Sequence, residues 1–174
     1  MKLLNTDTRY GFVSRALHWI IVFALVGQWA LAESDRIPLH ESIGIAVLAL
    51  AILRLAWRAA NPVPGWPADM KPYEITLARA LHIAFYALLF GIPLSGWALA
   101  STEAEPLRFF GWFELPRIVV GDEDSLEDVH ETLFNILMVL AALHVPGAIK
   151  HWIARRWHRA PDESGVRSVS DHSH

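Results

Sequence analysis

The sequence predicts an all-α fold, a four-helix transmembrane bundle, on three observations. First, 53% of the 174 residues are hydrophobic and only 19% are charged, with a mean hydropathy of +0.30. A soluble domain of this length buries roughly two-thirds of its surface and carries about a quarter charged residues, so this apolar excess calls for a bilayer. Second, the apolar residues fall in four long stretches bounded by charge or turn residues. Third, histidines recur inside or at the ends of those stretches at two matched depths.

The first stretch runs from Ala16 to Ala32, the second from His40 to Trp57, the third from Ala80 to Ala100 and the fourth from Val129 to Ile153. At 17 to 25 residues each, with a rise of about 1.5 Å per residue, all four match a hydrocarbon core of about 30 Å. Helices of a soluble bundle would show a polar face, and these show none. The first stretch also has the layout of a signal peptide, with Lys2, Arg9 and Arg15 before it and Ala30-Leu31-Ala32 at its end. The long preceding segment, and His18 and Gln28 within the apolar run, favour a retained helix. One membrane domain is therefore expected over residues 1–160, followed by a polar, disordered tail over 161–174 in which His172 and His174 have no role.

Charge sets the expected orientation. Twelve Lys and Arg residues fall on the side of the termini and of the turn-rich linker Asn61–Pro67, against Arg36, Arg108 and Arg117 on the other. The positive-inside bias places both termini on the cytoplasmic side of the membrane. The connection between the third and fourth spans, Ser101 to Asp128, holds eight acids and two arginines, a net charge of −6 on the outer side. The formal net charge of −3, without a basic stripe, excludes a nucleic-acid binder. The absence of cysteine excludes disulfides, thiolate zinc sites, iron–sulfur clusters and covalently attached haem.

Histidine is left as the metal ligand. His130 and His144 are fourteen residues apart on the fourth helix, which leaves them about 40° apart around the axis and about 21 Å apart along it. His18 shares the inner depth of His144, and His40 the outer depth of His130. Two imidazoles at each of two depths suit two b-type haems stacked across the membrane, each held by an axial pair, His18/His144 and His40/His130. Ligands about 21 Å apart on one helix cannot share a metal ion, which disfavours a binuclear zinc or transport site. Arg54, fourteen residues after His40, reaches the inner level, where a haem propionate or the interface would receive its charge. His82 is a further inner candidate, as spare ligand, quinone contact or interfacial residue, and His151 is interfacial, with a quinone or propionate in reach. Trp19, Trp57, Trp97, Trp112 and Trp152 fall near span ends, as in an aromatic belt.

Taken together, several segments resemble the bacterial cytochrome b561 family. They are Arg9-Tyr10 with Ala16-Leu17-His18-Trp19, His40-Glu41-Ser42-Ile43-Gly44 with Arg54 to Arg58, Leu81-His82 with Ile92-Pro93-Leu94-Ser95-Gly96, Phe109 to Pro116, and Val129-His130-Glu131 through Leu143-His144 to His151. The resemblance covers about residues 9–155 and implies a four-helix bundle with two haem b, whose ligands fall on His18, His40, His130 and His144. It also implies electron exchange with the quinone pool, ubiquinone being the expected acceptor or donor, and a superoxide oxidase-like activity. The acidic outer loop runs against superoxide, since its field repels an anion, unless Arg108 and Arg117 form a local positive funnel. That loop suits a basic redox protein equally well, as does a role as membrane anchor and electron conduit for a separate dehydrogenase.

Overall fold

The computed structural model describes residues 4–6, 10–66, 70–118 and 121–157, with side chains described as far as residue 150. The expected tail over 161–174 lies outside the described residues. Four long helices carry the chain: α1 (Phe12–Glu33), α2 (Ile37–Ala60), α3 (Pro72–Ala100) and α4 (Glu123–Trp157). Each is long and apolar enough to cross a membrane. Every helix extends beyond the apolar stretch that announced it, because a helical ladder continues through polar residues once hydrogen-bonded, and apolar content marks only the part that meets hydrocarbon.

Each end has a local cause. At the start of α1 the Gly11 N–H and the Ser14 hydroxyl both donate to Asn5 Oδ1, at 2.9 and 2.7 Å. The Asn5 amide donates in turn to Pro62 O at 3.0 Å, stitching the N-terminal segment to the linker after α2. α1 stops at Asp35, whose φ of 56° is left-handed. Asp35 N–H donates to Ala32 O and Arg36 N–H to Leu31 O, the two bonds of a Schellman turn, in which a short polar side chain tolerates that backbone. Pro38 occupies the first turn of α2 and Pro72 that of α3, where the missing N–H costs no helical bond. The Glu74 carboxylate caps α3 by accepting from Lys71 N–H at 3.0 Å. Asp122, just before α4, accepts from both the N–H and the hydroxyl of Ser125, and these bonds hold its carboxyl below its ordinary value.

α1 packs on α2, α2 on α3 and α3 on α4, and among the described residues the backbones of α1 and α4 stay apart. A buried apolar cluster joins the first three helices, where Ile21, Val47, Ala51 and Leu89 pack together. Outward-facing residues such as Trp19, Phe23, Ile83 and Leu143 are exposed, as lipid-facing side chains must be. α4 thus leans on α3, and its histidines reach across the interior toward α1 and α2. Near the termini, Lys150 of α4 pairs with Glu74 of α3 at 3.8 Å.

The connection between α3 and α4 is not merely a charged loop. It holds a β-hairpin, β1 (Arg108–Phe109) and β2 (Phe113–Glu114), paired antiparallel with Arg108 opposite Glu114 and Phe109 opposite Phe113. The hairpin marks one end of the bundle and the chain termini the other.

Asn5→Ala is expected to lower the thermal stability of the detergent-solubilised protein by about 1–3 kcal/mol, since the mostly buried Asn5 side chain serves three partners. Asn5→Asp keeps both acceptor bonds and should recover much of the loss. Equal melting of all three proteins would contradict this role.

Candidate functional site

At the hairpin end the imidazoles of His40 on α2 and His130 on α4 approach with ring centroids 6.3 Å apart and planes at 77°. His40 Nδ1 lies 3.1 Å from Gln28 O on α1. His130 Nδ1 lies 3.1 Å from Ile92 O and 3.0 Å from Ser95 Oγ, both on α3. A carbonyl oxygen has no proton to give, so each Nδ1 is the donor. In a neutral ring the lone pair is then on Nε2, the protonation pattern of a metal-ligating imidazole.

Two small details fix these rings. Ser95 Oγ donates to Ile92 O at 2.9 Å, which leaves its lone pairs for His130. Gly96 lies so close that a Cβ there would stand 3.0 Å from His130 Cε1, so a larger residue would press the ring out of this position by a few tenths of an ångström. On the other side of the pair, the Gln28 amide donates to His40 O at 2.9 Å, and its Oε1 is buried with no hydrogen-bond partner among the described residues. α1 therefore grips His40 twice, through the backbone carbonyl and the side chain of one residue.

At the termini end the arrangement is richer than a pair. The His144 ring meets His82 at 6.4 Å and Phe85 at 5.2 Å, and Trp66 from the linker packs edge-on against His82 at 6.4 Å. His82 Nδ1 donates to Ala78 O at 2.5 Å, which again leaves Nε2 with the lone pair. Arg54, His144 and His82 lie within electrostatic reach of His18. Arg54 donates one N–H to Ser14 O at 3.3 Å, and Trp57 Nε1 donates to Ser14 Oγ at 3.1 Å. The guanidinium keeps further N–H groups for an anionic partner. His151 is on the last turns of α4, and its side chain lies outside the described residues.

Of the histidines and Arg54 singled out from the sequence, the structure sets His40 against His130 and His144 against His82, with Arg54, His82 and His144 near His18. Sequence reasoning missed the roles of Ser95, Gly96, Phe85 and Ser14, and read Gln28 only as a polar residue in an apolar run. Among the described residues no three His, Asp or Glu side chains come together to hold a metal ion. Imidazoles meeting in pairs suit a metal that brings its own equatorial ligands.

That pattern agrees with the comparison against known families. A family model described as prokaryotic cytochrome b561 matches residues 9–159. The chain belongs to the prokaryotic cytochrome b561 family. It is similar to cytochrome b561 homolog 2 of Escherichia coli (strain K12), with 34% identity over 166 residues, covering 87% of this chain and 88% of that protein. It is also similar to the probable superoxide oxidase CybB of Yersinia pestis, at 23% identity over 82% of this chain and 88% of that one. Cytochrome b561 homolog 1 of E. coli (strain K12) is 26% identical over 82% of the chain and 89% of its own length. As a cytochrome b561, the protein is a bacterial multi-pass membrane electron-transfer protein, a four-helix bundle that binds haem b. The residues on the page fit that group: paired imidazoles with Nε2 free to ligate, and a glycine that makes room for one of them.

Gly96→Ala is expected to destabilise the protein by about 1–3 kcal/mol through overpacking and to lower its haem content, measured as haem absorbance per chain. Ser95→Ala should keep the haem and, with His130 as a haem ligand, raise one reduction potential, because the His130 Nδ1–H would lose an acceptor and the ring would donate more weakly. Unchanged potentials in Ser95→Ala would remove Ser95 from the site.

Proposed function

We propose that this cytochrome b561 binds two haem b, one between His40 and His130 and one between His18 and His144, and passes electrons between a donor on the periplasmic side and the quinone pool. The observation that carries this reading is the His40–His130 pair, whose two Nδ1 protons are held by backbone carbonyls so that both Nε2 atoms can ligate. When bound, haem supplies the one-electron centres at the two levels. The chain's own part is to hold those levels about 21 Å apart along α4, to keep water out with apolar helix faces, and to fix ligand basicity through Gln28, Ile92 and Ser95. Arg54 is placed in the role of neutralising a propionate at the inner level, with His82 and His151 as contacts for quinone or propionate. The positive-inside distribution supports cytoplasmic termini and a periplasmic hairpin.

For the donor, superoxide is suggested by the printed name of the Yersinia relative. In that reaction each superoxide gives up one electron and leaves as dioxygen, and a quinone takes two electrons and two protons to become quinol. A second reading, a cationic redox protein or partner subunit as donor, is favoured by the outer charges. Arg108 is neutralised by Glu114 at 2.6 Å. Arg117 donates to the carbonyls of Glu103 and Ala104 at 2.7 and 2.9 Å, and Glu41 and Glu103 lie close enough to feel each other's charge. The eight acids of the connection from Ser101 to Asp128 outnumber its two arginines, and such a face attracts cations.

The test uses haem-loaded protein in liposomes containing ubiquinone. Reduction by superoxide, abolished by dismutase, supports the first donor. Reduction only by a basic redox protein, weakening as salt rises, supports the second. Haems that exchange no electrons with quinone or quinol would overturn the quinone coupling in both.

A further inference from the structure

The hairpin between α3 and α4 has a strained backbone and an exposed ring cluster that electron transfer does not explain. Phe110 and Gly111 both have positive φ, 49° and 74°, and the Trp112 N–H closes the turn on Phe109 O at 2.9 Å. This is the sign pattern of a type I′ turn, whose first central position usually holds Asn or Gly. A phenylalanine there is strained and persists only where its surroundings hold it. Four rings meet at this tip, Phe109 lying 4.8 Å from Phe110, 5.3 Å from Phe113 and 6.4 Å from Trp112. Yet Trp112 is 81% exposed, Phe113 55% and Phe110 43%.

The base of the hairpin is anchored. The Phe110 N–H donates to Oγ of Ser42 at 3.0 Å. Ser42 is buried in α2 and donates to Pro38 O at 2.8 Å. On the far side the Trp97 indole N–H of α3 donates to Pro116 O at 3.1 Å. The hairpin is thus tied to α2 and α3 while its rings remain uncovered.

We propose that the Phe109–Phe113 tip is a bilayer-interface anchor, its rings seated among the lipid headgroups, and that Ser42 transmits this hold to the first turn of α2, which carries His40. An aromatic belt accounts for Trp112 alone; it does not account for two further exposed phenylalanines on a strained turn locked to a ligand-bearing helix. Lipid is the occupant because the patch continues surface that already faces lipid. Ile37 and Leu39 on the first turn of α2 and Leu94 on α3 are exposed. The Arg108–Glu114 pair closes the strand base, so the rings carry no net charge into the interface, where amphipathic aromatic clusters are stable.

The absence of cysteine makes the test direct. Spin labels are placed at Trp112→Cys and, in a second protein, Phe113→Cys, in haem-loaded protein reconstituted into phosphatidylcholine–phosphatidylglycerol vesicles. Asp124→Cys, at the start of α4, is the water-exposed reference. Hairpin labels should collide with dissolved oxygen and be shielded several-fold from a water-soluble nickel chelate relative to the reference. Ser42→Ala should raise the mobility and chelate access of the Phe113→Cys label and perturb the spectrum of one haem, leaving the other unchanged. Chelate access equal to the reference at both hairpin positions would overturn the anchor. Spin–spin broadening between labels would overturn it in favour of a second copy as the occupant. A hairpin label unmoved by Ser42→Ala would overturn the coupling to His40.

Discussion

An imidazole inside a membrane has two nitrogens and almost no water, and the way this bundle satisfies one of them decides what the other can do. His40 gives its Nδ1 proton to Gln28 O, and His130 gives its own to Ile92 O and Ser95 Oγ. Each bond crosses between helices, α2 to α1 and α4 to α3. One set of hydrogen bonds therefore orients the rings, leaves Nε2 as the nitrogen with the lone pair and ties the helix pairs together. Leaving such groups unpaired in hydrocarbon would cost several kcal/mol each, so the site and the fold stabilise one another.

The two ends of the bundle use this constraint differently. The hairpin end holds a simple pair, fixed by backbone carbonyls and by the absence of a Cβ at Gly96. The termini end sets His82 against His144, with Trp66 and Phe85 packed on these rings and Arg54 within electrostatic reach of His18. An extra imidazole and a guanidinium at one level give that end more hydrogen-bonding capacity than an axial pair uses.

The spans were legible because lipid imposes a simple rule on composition, and the depth pairing of the histidines because helical rise converts a spacing of fourteen residues into a distance. The grouping of His40 with His130 follows from that arithmetic. Contacts between helices were not legible. Nothing local to Ser95-Gly96 says that a histidine thirty-odd positions later will lie on it, and His82 could be placed at the inner level but not against His144. Arg54 was expected at the level of His18 and His144, and its bond to Ser14 O depends on how α1 meets α2. The hairpin was hidden because its strands are two residues long. Phe109-Phe110-Gly111-Trp112-Phe113, a glycine among aromatics, was the signal available for it.

The central claim is that four histidines at two depths hold two haems, and the most direct measurement is haem per chain, by pyridine haemochrome absorbance against amino-acid analysis of the purified protein. The account predicts two b-type haems per chain. It also predicts one remaining haem when either His40 or His130 is replaced by alanine, with His18 and His144 intact. One haem in the unaltered protein, or two in either variant, would contradict it.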